Sequence, residues 1–302
     1  MRVCWALLLG FLSVQAYEYD LRAVNVDNGI YCFFGKPEVM DTVNNGNMVN
    51  SCYVDTGRNW LVIDSGPTYA YAKEAADIMQ CIKPQPVGLV VDTHVHDDHW
   101  LGNGFFEAAG IEVIGPSLFK KTVNPDETTR MEKRISKDAF AGTVVRLPTR
   151  YVDANESVML DGTEIRLIRF EPKAHTAEDI AVYLPQFRTL FAGDLVFNDR
   201  IPSLRDGDIN GWIAVLEVIR RMPLDHVIGG HGEHTGSDAA DMTYRYLTQL
   251  RDRVREAIDE GTGIDKATKD IALESFRAKA LYDVMHAQNV EAVYRMLEWE
   301  DE

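Results

Sequence analysis

Apolar positions recur along this chain with two periods. In the first half, short apolar runs at residues 23–34, 48–55 and 59–64 read as strands. Residues 69–82 carry apolar positions at helical spacing, and the β-branched run VGLVVDT at residues 87–93 reads as a further strand. A second series of strand-like runs falls at residues 144–152, 164–170, 180–184 and 189–192. After Gly236 the periodicity is helical to Glu302, as in DMTYRYLTQLRDRVREAI, and predicts helices packed on or extending the same body. Strands alternating with helices suit an α/β fold of two sheets with helices outside, and no Pro-, Gly- or Ser-rich linker interrupts the chain.

The first sixteen residues do not fit this scheme. Arg2, an apolar run over residues 3–12 and Val14-Gln15-Ala16 have the form of a secretory leader cleaved before Tyr17. The run falls short of the roughly 20 residues that span a bilayer. The expected organisation is therefore a signal peptide at 1–16, a catalytic domain at 17–235 and a helical extension at 236–302. The mature protein is expected in the periplasm or outside the cell, with no membrane insertion.

Charge narrows the partners. The formal net charge is −16, and −17 once Arg2 is removed, which repels nucleic acid and anionic lipid. A small-molecule substrate and a monomer are the expectations, since nothing selects an oligomer. Cys32, Cys52 and Cys81 remain after Cys4 leaves with the leader. An oxidising compartment would let Cys32 pair with Cys52, because YCFF and NSCYV read as neighbouring strands, or all three thiols would stay free. Cys81, on the helix-like stretch, is expected to be a buried thiol.

The chemistry is concentrated in histidine. Of eight histidines, His94, His96 and His99 form with Asp98 a tight H-x-H-x-D-H cluster, and His175, Asp194 and His231 follow at wide intervals. His226, His234 and His286 fit no ligand slot. The cluster follows the run at 87–93, so it sits on a loop at a strand end. In an extended stretch His94 and His96 point the same way and can grip one ion, leaving Asp98 and His99 for a neighbouring one. His175 precedes the strand at 180–184, TLFAGD is read as a strand ending at Asp194, and His231 ends HVIGGH. Imidazole and carboxylate are donors that Zn²⁺ accepts, and iron or manganese takes the same set.

This pattern resembles the metallo-β-lactamase superfamily of hydrolases, and IDSG at Ile63 to Gly66 is similar to its second motif. The resemblance runs from about Asn25 to His231 and implies a four-layer αββα sandwich. It implies a first metal on His94, His96 and His175, a second on Asp98, His99 and His231, and Asp194 bridging both. Two zinc ions would share a hydroxide that attacks a carbonyl, and Asp98 would carry protons to the leaving group. By the same resemblance, residues 35–47 are expected to form a mobile loop over substrate, with Met40 and Val43 in contact. The charged insert at 125–140 would border the pocket. More narrowly, Arg200, Pro202, Asp206 to Asp208 and Gly211 to Trp212 resemble the exported quinoprotein relay system zinc metallohydrolases and a branch encoded with sulfur-oxidation systems.

Other residues read more plainly. Asp64 is expected to cap its own turn. Ser117-x-x-Lys120 lacks the triplets that a serine β-lactamase needs, and Glu107 stands where a dinucleotide fingerprint needs glycine after Gly102 and Gly104. Trp100, Phe105 and Phe106 read as helix-packing residues. Within the superfamily, a β-lactamase, a hydroxyacylglutathione-type thioesterase, an iron-dependent sulfur-compound enzyme and a non-catalytic accessory protein all remain open. Asp194 stands where the well-known two-zinc lactamases carry cysteine or no bridging ligand, and the seven-residue set fits the thioesterase better.

Overall fold

The structure is a computed structural model that describes residues 17–300; the expected leader, residues 1–16, lies outside them. The first sheet collects β1 (Val24–Asp27), β2 (Ile30–Phe33), β3 (Ser51–Asp55), β4 (Trp60–Ile63), β5 (Val87–Val91), β6 (Val113–Pro116) and β7 (Arg150–Val152), in that spatial order. Between them lie α1 (Tyr69–Ile82), α2 (Asp97–Trp100), α3 (Asn103–Ala108), α4 (Leu118–Thr122), α5 (Arg130–Arg134) and α6 (Lys137–Phe140). The second sheet runs β12 (His226–His231), β11 (Thr189–Phe197), β10 (Ile180–Leu184), β9 (Thr163–Arg169) and β8 (Glu156–Leu160). Helix α7 (Ile209–Arg221) joins its last two strands, and α8 (Asp241–Asp259), α9 (Ile264–Asp270) and α10 (Tyr282–Leu297) follow.

Three apolar cores account for the layers. Leu61, Leu89, Val91 and Ile114 of the first sheet meet Leu167, Val182, Phe191 and Ile228 of the second in a buried seam. The other face of the first sheet packs Tyr53, Trp60 and Val90 on Tyr71, Ala75 and Met79 of α1. The outer face of the second sheet packs Leu190, Ala192 and Val196 on α7 and α8, and α10 adds Val290 and Val293 to the same cluster. The result is an αββα sandwich, in which burial on both faces demands the continuous apolar runs seen in β4, β5 and β11.

Helix α1 matches the predicted span: Thr68 caps it by accepting from Tyr71 N, and it stops just before Pro84. The strand expected at 23–34 is instead the hairpin β1–β2, because Asn28-Gly29 turns the chain with Gly29 at φ +83°. The strand expected at 144–152 shrinks to β7, and β8, whose residues alternate in exposure, escaped the apolar pattern. The strand expected to end near Asp194 continues to Phe197. Cys32 and Cys52 face each other across β2 and β3 and form a disulfide. Cys81 is exposed rather than buried, since it falls on the solvent side of α1.

Candidate metal centre

The sheet ends deliver the candidate residues. His94 and His96 follow β5 on an irregular stretch, whereas Asp98 and His99 lie on the short helix α2. His175 lies on the loop before β10, and His231 is the last residue of β12. Asp194 sits inside β11 rather than at a strand end, at an irregularity where the pairing of β11 with β12 slips around Gly193. A Cβ on Gly193 would lie 2.5 Å from Thr93 Oγ1; glycine there lets the strand close on the loop that carries His94.

All seven predicted residues come together, in two groups: His94, His96, His175 and Asp194, and Asp98, His99 and His231. Asp194 faces both. Its Oδ2 is 3.2 Å from His175 Nε2 and 3.7 Å from His94 Nε2. Its Oδ1 is 3.2 Å from His99 Nε2 and 3.3 Å from His231 Nε2. Asp98 Oδ2 lies 3.9 Å from His99 Nε2 and 3.8 Å from His231 Nε2. His96 Nδ1 is 2.9 Å from His175 Nε2.

These separations test whether a metal fits. Donors about 2.0–2.1 Å from a tetrahedral zinc stand roughly 3.3 Å apart, and the distances above bracket that edge. His94 Nε2, His99 Nε2 and Asp194 Oδ1 are buried and have no hydrogen-bond partner. Orphaned polar atoms are costly in a protein interior. Converging donors of this chemistry that leave their inner atoms unpaired fit metal ions.

The outer atoms are held. Asp64, expected to cap its own turn, instead reaches the next loop from a left-handed position at φ 56°. Its carboxylate accepts from Thr93 N (2.7 Å), Thr93 Oγ1 (2.9 Å) and His99 Nδ1 (2.8 Å). Thr93 Oγ1 in turn accepts from His94 Nδ1 at 3.0 Å. Thus one buried carboxylate fixes two imidazoles with their Nε2 atoms inward. His231 Nδ1 donates to Met48 O, and His96 Nε2 faces Asp206 Oδ2 at 3.1 Å. His175 Nδ1 has no such partner; its ring packs against Trp212 and Phe197.

Electrostatics sharpen the donors. Burial pushes His94, His96 and His231 below the ordinary imidazole value, toward the neutral form that ligates. Burial would also lower His99, but Asp194 and Asp64 raise it. Asp194 is held well below the carboxylate range against burial by His231, His99 and His94. Asp98 resists burial in the same way, through Arg130, whose Nη2 donates to Asp98 Oδ1 at 2.6 Å.

Sequence reasoning missed Arg130 and the side chains around it. A cavity of about 410 Å³ opens over the two groups, walled by Met40, Arg130, Arg200, Arg205, Leu281 and Met285 among others. The insert at 125–140 therefore borders the pocket through Arg130 and Arg134. Val39 and Met40 reach it from the loop at 35–47, whereas Val43 points to solvent at 77 % exposure. That loop is tied down: Asn44 and Asn45 are buried, Asn45 Oδ1 accepts from Ser136 N, and Tyr19 Oη donates to Asn45 O. Trp100 and Phe106 are buried in the α1 core, as packing residues should be.

Residues 44–231 match the sequence profile of the Metallo-beta-lactamase superfamily. The chain belongs to that superfamily. It is 23 % identical over 210 residues to the beta-lactamase-like protein 2 homolog of Caenorhabditis elegans, covering 69 % of this chain and 64 % of that protein. To the metallo-beta-lactamase type 2 of Elizabethkingia meningoseptica it is 20 % identical over 260 residues, 82 % of this chain and 96 % of the relative. The solved metallo-beta-lactamase from Pontibacter korlensis superposes with a TM-score of 0.59 at 21 % identity, covering 76 % of this chain and 99 % of that one. Superfamily membership and the clustered donors together indicate a metal-dependent hydrolase.

Proposed function

We propose that this chain is an exported dinuclear zinc hydrolase that cleaves a carbonyl substrate, an amide, ester, thioester or lactam. The observation that carries the proposal is the split carboxylate of Asp194, with one oxygen toward each group of imidazoles. His94, His96 and His175 would hold one ion, Asp98, His99 and His231 the other, and Asp194 both. Zinc ions bound there would lower the pKa of water to near neutrality and polarise the substrate carbonyl.

The chain's own residues do the rest. Asp64 and Thr93 keep the His99 and His94 rings turned inward. Arg130 keeps Asp98 ionised, which suits it to ligation first and to carrying a proton to the leaving group second. The Cys32–Cys52 disulfide supports an oxidising compartment, periplasmic or external, in line with the leader-like start. A monomer acting on a small molecule completes the reading, within the branch that shares the R-x-P, D-G-D and G-W pieces.

Arg200 points to the kind of substrate. It is 5 % exposed, stacks over Phe197 and lines the cavity, yet its Nη1 has no hydrogen-bond partner. A buried guanidinium with no carboxylate in salt-bridge contact costs stability, so its place on the wall supports a substrate that brings an anionic group. An acyl-glutathione thioester has one; the shared carboxylate of Asp194 also favours a thioesterase over a β-lactamase.

The test is elemental analysis of the protein beginning at Tyr17, with turnover of nitrocefin and of an acyl-glutathione thioester. About two zinc per chain and thioester cleavage are expected. Arg200→Met should raise KM for the thioester about tenfold with kcat little changed, and should leave the melting temperature level or slightly higher. One iron per chain, or two zinc with neither substrate cleaved, would overturn the proposal in favour of sulfur-compound chemistry or an accessory role.

A further inference from the structure

We infer that Asp206 is a positioning residue for His96, an inference that rests on the metal-site reading above. His96 turns Nδ1 toward His175 and Nε2 outward, where Asp206 Oδ2 stands at 3.1 Å. A carboxylate accepting from the outer N–H of an imidazole fixes its tautomer and ring angle and makes the inner nitrogen a better donor. On the outer side of the ring, Asp206 is the carboxylate that faces Nε2.

The surrounding residues bring Asp206 to that point and hold it there. Arg205 Nε donates to Asp206 Oδ2 at 2.7 Å and its Nη2 lies 3.3 Å from His96 Nε2, so the guanidinium holds the carboxylate beside the ring. A Cβ on Gly207 would lie 2.9 Å from Ala174 O, so only glycine lets the turn press against the loop that carries His175. Asp208 N donates to Ala174 O at 2.8 Å, and Asp208 Oδ1 caps α7 by accepting from Gly211 N at 2.8 Å. Trp212, one residue later, packs its ring 5.0 Å from that of His175 and donates Nε1–H to Leu195 O. The D-G-D and G-W pieces thus form one brace: Asp206 under His96, Trp212 under His175.

The brace is tied to the C-terminal helices. Ile201 N donates to Ala280 O and Ala280 N to Asp199 O, at 3.2 and 2.9 Å. Asn289 on α10 accepts from Leu204 N at 3.1 Å and donates to Pro202 O at 2.8 Å. Residues beyond the family match therefore anchor the segment 199–204 that leads to Asp206.

The experiment compares Asp206→Ala and Asp206→Asn with wild type in the full mature chain, using zinc alone and a competing chelator. Asp206→Ala should weaken one of the two zinc ions by about 10–100-fold and leave the other unchanged. Asp206→Asn, which keeps an accepting oxygen, should recover most of the loss. Asp238→Ala, which removes the partner of His234 away from the cavity, should change neither ion. Nitrogen-15 spectra of the metal-free protein should show His96 protonated at Nε2 in wild type and a mixed tautomer in Asp206→Ala. Melting temperatures should agree, since Asp206 is half exposed. Unchanged affinity for both ions, equal loss of both, or a His96 protonated at Nδ1 would overturn the inference. Were wild type to bind no zinc, the hydrolase reading would fail, while the tautomer would still decide the role of Asp206.

Discussion

Behind His99 and His94 the protein places a carboxylate of 2 % exposure, Asp64, whose donors are all fixed by backbone or by neighbouring buried groups. Behind His96 and His175 it places the half-exposed carboxylate of Asp206 and the face of an indole. The donor atoms are alike on the two sides, but one side is held by buried charge and the other by packing and a rim segment. A buried carboxylate is tolerable only when its hydrogen bonds are complete, so the Asp64 side is set during folding and resists change. The Asp206 side is instead tied through residues 199–212 to Ala280 and to Asn289 of α10.

The largest break in that contrast should come from Asp64→Ala. Thr93 N, Thr93 Oγ1 and His99 Nδ1 would lose their acceptor in the interior, and urea unfolding should show a loss of about 3–5 kcal/mol. Zinc binding should fall at both ions, because His94 and His99 belong to different groups. A loss confined to one ion would show that Thr93 holds His94 without Asp64.

Trp212→Phe should act on one side only. It keeps an aromatic ring beside His175 but removes the donor to Leu195 O and part of a fully buried side chain, at a cost of about 2 kcal/mol. On the proposed two-zinc site, the affinity of a single ion should drop while the one assigned to Asp98, His99 and His231 is kept; chelator competition reads the split.

The smallest effect is expected from Arg130→Gln. Arg130 also pairs with Asp97 and its side chain is 33 % exposed, so solvent screens it and the stability change should stay near 1 kcal/mol. Asp98 would lose the charge that opposes its burial. If Asp98, His99 and His231 hold an ion as proposed, its affinity should fall several-fold, the reverse of the Trp212→Phe pattern.

Much of this was legible in the sequence because it is local. Four of the seven candidate residues fall within H-x-H-x-D-H, and a strand run leads straight into them. Helix α1 was legible from its spacing and from Pro84, and the apolar runs of β4 and β5 from burial on both faces. The hairpin at 24–33 was missed because a turn at Asn28-Gly29 leaves the apolar pattern unbroken on either side. Asp194 was placed at a strand end because Gly-Asp usually marks a turn, whereas here a slip in pairing keeps it within β11.

The sequence by itself determined the donor types, most of the strands that carry them and an element order that suits two sheets with helices outside. Only the tertiary structure decided which atom of each donor faces inward. That choice depends on what occupies the far side of the ring, and the groups there are distant in the chain: Asp64 is 35 residues from His99, and Asp206 is 110 from His96. It also decided that Arg130, Arg200 and α10 wall the cavity. Local periodicity records which face of an element is buried, but not which residue of another element will stand against it.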